Sequence, residues 1–307
     1  MSHHDAPEPD CHGDDCHPVD LVIEPKIRNI GAFEVRRVLP VAQRRSVGPF
    51  VFFDQMGPTT FENGQYLDVG PHPHIGLSTI TWMTEGEILH RDSLGSVQAI
   101  RPGDVNWMTA GSGVVHSERS PDSERREGAR VAGIQAWIAL PEADQECAPS
   151  FQHYPANEIP WIDRPDVRAA LIVGHAWGLE SPVATPTETL YADIDLSAGA
   201  TLQLPDETPE RAIYGLEGDF QLNGTVFAAG QMLVLKPGVS VAVTAGPAGA
   251  RMMLCGGEPL DGPRHMYWNF VSTSKTRIEE AKRDWSQGNF GSIPGEGPVI
   301  PLPGERA

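Results

Sequence analysis

The chain has 307 residues, enough for two domains and a sizeable hydrophobic core, and its 32 glycines and 28 prolines divide it into short segments typical of an all-β protein. It carries 41 acidic and 23 basic residues, a net charge of −18, which argues against direct binding to nucleic acid. No apolar run approaches the length of about 20 residues that crosses a bilayer, and no signal peptide is recognisable, so we expect a cytoplasmic protein that does not bind membranes.

The first segment, residues 1–19, is acidic and poor in apolar residues. It contains two Cys-His pairs, Cys11-His12 and Cys16-His17, which resemble half of a zinc site. A segment of this composition cannot bury enough apolar surface to fold alone. We therefore predict a disordered tail with adventitious metal affinity at most. The chain's four cysteines are too sparse for a disulfide framework.

Residues 20–140 are predicted to form a first β-domain, and its most informative feature is His72-Pro73-His74. Side chains alternate across a strand, so His72 and His74 point to the same face. The residue before a proline favours extended backbone, and Pro73 lacks an N–H group. Both properties predict a strand at the edge of a sheet.

A second pair, His116 and Glu118, has the same spacing and follows a glycine-containing bend. If the two strands lie side by side, three imidazoles and one carboxylate converge on one point. Nitrogen and oxygen donors of this kind bind divalent metals, so the spacing predicts a metal site. The alternative is two unrelated surface pairs in a chain with 11 histidines.

Other residues of this half allow two interpretations each. His90 can either reach the metal site or serve as a hydrogen-bonded structural histidine. A set of large apolar side chains can either line a pocket or pack in the core, namely Phe52, Phe53, Trp107 and Met108.

Residues 141–186 are predicted to be a connection, and residues 187–290 a second β-domain with a terminal helix. Two turns suggest that the domains repeat each other: Glu85-Gly86 is matched by Glu217-Gly218, and Pro102-Gly103 by Pro237-Gly238. The second domain has no histidine between positions 175 and 265. Only the first domain can therefore hold the predicted metal.

The end of the chain is predicted to contain one amphipathic helix followed by an extended tail over residues 291–307. Thr276 and Glu279 fit a capping box, and Ile278, Ala281 and Trp285 follow at helical spacing. We expect Trp285 to pack against the β-domains. The tail is too rich in glycine and proline to continue the helix.

Over roughly residues 20–290 the sequence resembles the pirin family of the cupin superfamily. The resemblance rests on long ordered motifs: Gly70-Pro71-His72-Pro73-His74-Ile75-Gly76, His90-Arg91-Asp92-Ser93-Leu94-Gly95, residues 102–111 and His116-Ser117-Glu118. Two features depart from the family pattern. Ser78 stands where many relatives have Glu, and the acidic Cys/His tail is not a family feature.

The resemblance implies a bicupin, that is, two stacked antiparallel β-barrels of the double-stranded β-helix type with a short C-terminal helix. It implies one metal, usually iron, in the first barrel, held by His72, His74, His116 and Glu118. Because Glu118 supplies the carboxylate, we expect the Ser78 departure to leave the site intact. Some relatives have quercetin 2,3-dioxygenase activity, and others are described as iron-dependent regulators that bind protein partners.

Two functional hypotheses follow from the resemblance and the predicted ligands. The first is an Fe(II) dioxygenase that opens a flavonol such as quercetin with O2, with Glu118 also acting as a catalytic base. The alternative is a metal-bound regulatory or redox-sensing protein that acts through a protein partner. The donor set also admits Mn, Ni, Cu, Co or Zn, and we expect a monomer.

Overall fold

The structure is a computed structural model that describes residues 17–30, 33–62 and 64–305. Most of the tail predicted to be disordered, residues 1–16, lies outside the described residues. The elements of the first half and of the segment that follows it are β1 (Val19–Ile23), β2 (Lys26–Ile30), β3 (Phe33–Leu39), β4 (Phe50–Phe61), β5 (Asp68–His74), β6 (Leu77–Glu85), β7 (Ile88–Asp92), β8 (Val97–Ile100), β9 (Val105–Thr109), β10 (Val114–Arg119), α1 (Asp122–Glu127), β11 (Ala129–Ala139) and β12 (Ser150–Tyr154).

The second half continues the strand series and ends in a helix. Its elements are β13 (Trp161–Arg164), β14 (Val167–Val173), β15 (His175–Ala176), β16 (Leu179–Glu180), β17 (Thr189–Leu196), β18 (Thr201–Gln203), β19 (Glu210–Glu217), β20 (Phe220–Leu222), β21 (Thr225–Phe227), β22 (Met232–Leu235), β23 (Ala242–Ala245), β24 (Ala250–Gly257), β25 (His265–Tyr267), β26 (Phe270–Ser272) and α2 (Lys275–Ser286). The expected all-β fold class is confirmed.

Each half contains one seven-stranded and one four-stranded antiparallel sheet, and the strand order is the same in both. The first half has the orders β12-β9-β6-β11-β4-β3-β2 and β5-β10-β7-β8. The second half has β1-β22-β19-β24-β17-β14-β13 and β18-β23-β20-β21. Each strand of the first half thus has a counterpart in the second, as a duplicated unit requires.

Of the two turn matches that suggested this repeat, one joins corresponding positions and the other does not. Gly86 and Gly218 both follow corresponding strands, β6 and β19, and both adopt positive φ, 77° and 70°, which favours glycine. The Pro-Gly match is wrong. Pro102-Gly103 precedes β9, whereas Pro237-Gly238 follows its counterpart β22. Pro-Gly recurs because it suits tight turns in general, not because the positions correspond.

Two strands fill outer positions of the large sheets. β1 begins at Val19 and pairs with β22 of the second half, so the first domain does not start cleanly at residue 20. β12, inside the expected connection 141–186, pairs with β9 of the first half, and β13 and β14 join the second. The expected connection therefore contributes strands to both large sheets, since β12 fills an outer position of the first and β13 an outer position of the second.

The largest apolar core lies between the halves and draws on both. Phe53 packs edge-on against Tyr214, with ring centroids 5.4 Å apart. The Tyr214 hydroxyl donates a 2.6 Å hydrogen bond to Gln55 Oε1, so a buried polar group is satisfied across this contact. This shared core holds the first half in a defined position relative to the second.

The predicted terminal helix is present as α2. Its N-cap is Ser274, whose hydroxyl accepts from the Arg277 N–H, so the capping box predicted at Thr276 is wrong by two residues. Trp285 is buried as expected, in a cluster with Ile75 and Val115 of the first half. No helix in the described ranges is long and apolar enough to cross a membrane.

Residues beyond α2 run as irregular backbone along the first half. The Ile300 N–H donates to the Pro71 carbonyl at 2.8 Å, next to the predicted metal ligands on β5. Ile293 and Leu302 are buried beside Trp285. The tail thus covers the outer side of β5.

Candidate metal centre

The two predicted ligand pairs lie on neighbouring antiparallel strands. His72 and His74 end β5, which is an edge strand, as Pro73 predicted. His116 on β10 lies directly opposite His72. The pairing register with β5 shifts between His116 and Glu118, whereas on its other side β10 pairs regularly with β7 and places Glu118 opposite His90.

The three imidazoles converge as the spacing predicted. The ligand atoms of His72, His74 and His116 lie within 4.8 Å of one another, and all three residues are buried. The ε nitrogens of His74 and His116 are 3.1 Å apart. Two nitrogens each about 2.1 Å from one ion, at roughly a right angle, would have this separation. The donors therefore fit a single bound ion.

Glu118 joins the cluster through His116. Its carboxylate, His116 and His90 form a second group of potential ligand atoms, also within 4.8 Å of one another. The Thr81 hydroxyl lies 3.3 Å from Glu118 Oε1. His90, which allowed two interpretations, is both hydrogen-bonded and next to the site.

Hydrogen bonds at the outer nitrogens of His72 and His116 leave their inner nitrogens free to bind a cation. His72 Nδ1 lies 2.9 Å from the Gly70 carbonyl, which requires Nδ1 to be protonated and Nε2 to hold the lone pair. His90 Nε2 lies 3.0 Å from Asp92 Oδ2, and His90 Nδ1 lies 3.4 Å from His116 Nδ1. Asp92, His90 and His116 thus form a chain that orients the His116 ring, as second-layer partners do in metal sites.

Asp92 is held as a carboxylate at the start of this chain. Burial alone would raise its pKa, but hydrogen bonds from His90 and the Ser96 backbone outweigh burial and keep the pKa below its ordinary value. Its other oxygen accepts from the backbone N–H groups of Leu94 and Ser96, both at 2.9 Å. The motif around Asp92 is therefore a turn that anchors His90.

Burial favours the neutral imidazoles that a metal requires. It lowers the pKa of His72 to about 4, and it lowers the pKa of His74 and His116 well below their ordinary value, with added repulsion from neighbouring histidines. Burial also raises the pKa of Glu118. A bound divalent ion would reverse this last effect by stabilising the carboxylate.

These shifts predict that the metal-free protein loses stability as pH falls from about 6.5 towards 4. The unfolded chain takes up protons at its histidines first, so acid favours unfolding; between about pH 7 and 5, His72 alone accounts for about 2 kcal/mol. The raised pKa of Glu118 favours the folded state as pH falls, but this is one group, whereas three histidines favour unfolding. Urea unfolding in the presence of a chelator measures the slope.

The matched variants for this measurement are His72→Gln and His175→Gln, the latter at an exposed position. We expect the first to reduce the dependence of unfolding free energy on pH and the second to retain it. Equal slopes in wild type and His72→Gln would contradict the pH prediction.

The ligands lie at the inner end of a cavity of about 860 Å3. Phe52 and Trp137 form one wall as a parallel stack, with centroids 3.9 Å apart, and Trp137 meets His74 edge-on at 5.1 Å. Arg37 lies over the other face of Phe52 at 4.3 Å. The cavity can therefore hold a flat aromatic molecule against the metal ligands.

Four large apolar residues were expected either to line a pocket or to pack in the core, and only Phe52 among them lines this cavity. Phe53 and Trp107 belong to the large core between the halves, and Met108 packs in a smaller core. Ser78 does not line the cavity either; it is buried and pairs with the Thr109 hydroxyl at 3.1 Å. Ser78 is therefore not part of the cavity lining.

Sequence reasoning missed part of the cavity wall. Trp137 on β11 faces the cavity because it pairs with Phe52 on β4, a register that no local motif reveals. Met266 and Trp268 reach the cavity from the loop and strands before α2. Trp268 has φ of 51°, which is unusual for a bulky residue and occurs preferentially at functional sites.

The pirin family model matches residues 32–138, and the model of the pirin C-terminal cupin domain matches residues 191–291. A pirin-like protein of Caulobacter vibrioides is 47% identical over 93% of this chain and 99% of that protein. The chain belongs to the pirin family.

Solved structures of similar proteins agree with this assignment and with the bicupin fold. A quercetin 2,3-dioxygenase from Acinetobacter baumannii is 35% identical, with a TM-score of 0.85 over 94% of this chain and 97% of that one. A bacterial pirin of Escherichia coli in complex with nickel(II) is 18% identical, with a TM-score of 0.61 over 78% of this chain and 99% of that one, which shows the pirin fold alone.

The second cupin domain of this pirin has no comparable cluster among the described residues. Its strands β18 and β23 correspond to β5 and β10. At their paired positions they carry Leu202 opposite Val243, both buried in an apolar core. Apolar side chains thus fill the second domain at the place where the first domain has its cavity and histidine cluster.

Proposed function

We propose that this chain is a metal-dependent dioxygenase that opens a flavonol such as quercetin with O2, with Fe(II) held by His72, His74, His116 and Glu118. The observation that supports it most directly is the buried cluster of His72, His74 and His116, with Glu118 beside His116, at the end of an aromatic-walled cavity. The cavity of about 860 Å3 is within the range of about 300–1,000 Å3 that drug-sized ligands occupy. The similar Acinetobacter structure carries the same activity in its name.

The ion supplies Lewis acidity for the hydroxyl and carbonyl oxygens of a flavonol and one-electron chemistry towards O2. The protein supplies the rest. The stack of Phe52 and Trp137 holds the flat rings against the ligand cluster, and the buried histidines exclude water from it. Glu118, whose pKa burial raises, accepts the proton of the flavonol hydroxyl.

Oxygen uptake with quercetin tests this proposal. We expect Fe(II)-loaded protein to consume O2 above the rate of metal-catalysed background oxidation, and His74→Ala to fall to background because the cluster loses a buried donor. His153→Ala is the matched control, since His153 bonds to Asn106 and does not line the cavity. Uptake that is equal in wild type and His74→Ala would refute the dioxygenase proposal.

The metal content of both variants is measured on the full chain and on a chain without residues 1–16, so that the Cys/His tail cannot supply a false positive. The truncation stops before residue 17 because Pro18 and Val19 bond to the β22 region. Protein that binds one metal at the cluster and has no turnover would favour the regulatory alternative.

A further inference from the structure

The outer part of the cavity is basic although the chain is strongly acidic. The net charge is −18, yet among the described residues the cavity is lined by the four basic residues Lys26, Arg28, Arg37 and Arg45, and by only two acidic ones, Asp54 and Glu118. A cleft that carries one sign of charge attracts ligands of the opposite sign. The question is whether these charges are already neutralised within the protein.

One of the four basic residues is neutralised. Arg37 makes a bidentate contact with Asp54, with Nε–Oδ1 at 2.8 Å and Nη2–Oδ2 at 2.7 Å. Asp54 is almost fully buried, so this pair is a fixed part of the wall. Glu118 belongs to the ligand cluster. Neither acidic residue of the lining is therefore available as an ion-pair partner for the other three basic residues.

Lys26, Arg28 and Arg45 form no ion pair with any residue that the structure describes, and all three are exposed. Lys26 and Arg28 are two apart on β2 and thus point to the same face, towards the cavity. Lys26 lies directly opposite Arg37 on β3. Arg37 is neutralised by Asp54, so Lys26 and Arg28 are the residues of this face that could pair with a bound anion.

The cavity thus has three zones: metal ligands at the inner end, an aromatic and apolar middle, and a basic mouth. Val35 and Ile30 add to the apolar lining. An occupant that matches all three zones has chelating oxygens at one end, a flat ring system, and a negative charge at the other end.

We propose that the substrate of this site is an aromatic enol or phenol that carries an anionic group, a carboxylate or a sulfate, which Lys26, Arg28 and Arg45 bind at the mouth. This inference rests on the proposed function and narrows its substrate class. The competing explanation is that β2, an edge strand, uses these charges to prevent pairing with other chains. That role needs no anion and predicts no preference between neutral and anionic ligands.

Equilibrium binding to the full chain loaded with zinc, which has no redox chemistry, tests the inference without turnover. The probes are 3-hydroxyflavone and its 4′-carboxylate and 4′-sulfonate derivatives, followed by quenching of tryptophan fluorescence. We expect both anionic probes to bind at least about tenfold tighter than the neutral one at low ionic strength, as charge-assisted hydrogen bonds predict, and the preference to shrink at high salt.

The matched variants lose charge on opposite faces of the same strand pair. We expect Lys26→Gln combined with Arg28→Gln to abolish the preference and leave binding of 3-hydroxyflavone unchanged. Arg36→Gln is the control, because Arg36 is an exposed residue of β3 that does not line the cavity. We expect it to retain the preference.

Equal binding of neutral and anionic probes, or a preference that persists in the double variant, would overturn the anionic-substrate inference. Neither result would affect quercetin-dependent O2 uptake by the Fe(II) protein. Conversely, an anion preference in a protein without turnover would overturn the dioxygenase and leave the anion site in place. A preference for the carboxylate alone would assign the mouth to carboxylates and exclude sulfates.

Discussion

Glu118→Gln is expected to lower quercetin-dependent O2 uptake by about 10²- to 10⁴-fold at metal concentrations that saturate the site. The substitution keeps the side chain's size and one neutral oxygen donor but removes the charge and the proton-accepting carboxylate. Glu118 lies beside His116 and Thr81, and among the described residues the only other carboxylate that lines the cavity is Asp54. Asp54 is already bound to Arg37.

The measurement separates metal affinity from turnover by titrating Fe(II) under anaerobic conditions before quercetin and O2 are added. We also expect weaker metal binding, since a neutral amide attracts a divalent ion less than a carboxylate does. Glu85→Gln, at an exposed carboxylate paired with Arg130, is the control and should retain both properties. Full turnover of metal-saturated Glu118→Gln would exclude Glu118 as the base and leave it a ligand only.

Asp193→Ala is expected to lower the free energy of unfolding by about 3 kcal/mol, the lower end of the range for breaking a buried pair. Asp193 is almost fully buried on β17 and contacts Arg251 through both oxygens, at 3.0 and 2.6 Å. It also accepts a 2.8 Å hydrogen bond from the Trp82 indole of the first half. Its removal leaves a cation and an indole N–H without their partner where the two halves meet.

Asp195→Ala is the matched control, because Asp195 is on the same strand, faces Arg251 across the sheet and is exposed. Exposed charges contribute little, so we expect a loss below about 1 kcal/mol. Chemical denaturation of both variants, with metal removed, compares them. A loss for Asp193→Ala as small as that for Asp195→Ala would show that the Asp193 contacts do not stabilise the join between the halves.

Short-range patterns predicted much of this site because strand geometry carries them. Residues two apart on a strand share a face, so His72 and His74, and likewise His116, were expected to converge, and they do. The proline between the first two histidines correctly indicated an edge strand. Glu118 is the exception in detail, since it lies directly opposite His90 in the regular pairing of β10 with β7 and groups with His90 and His116.

Patterns that depend on pairing between distant strands were not predictable in this way. The Pro-Gly match suggested a correspondence that is shifted by one strand, because tight turns select the same residues wherever they occur. Strands β12, β13 and β14 lie in the segment, residues 141–186, that the sequence predicted to be a connection. They become strands because open sheet positions are available to pair with them.

The sequence by itself determined the pirin resemblance, the all-β class, the duplicated unit and the four metal-ligating candidates, since each depends on residue type and local spacing. The tertiary structure decided what surrounds the ligands. A basic edge strand borders the cavity. Trp137 joins Phe52, and Asp92 orients His116 through His90, both through pairings between strands far apart in sequence. Such pairings are set by the global packing of the sheets, which no local pattern encodes.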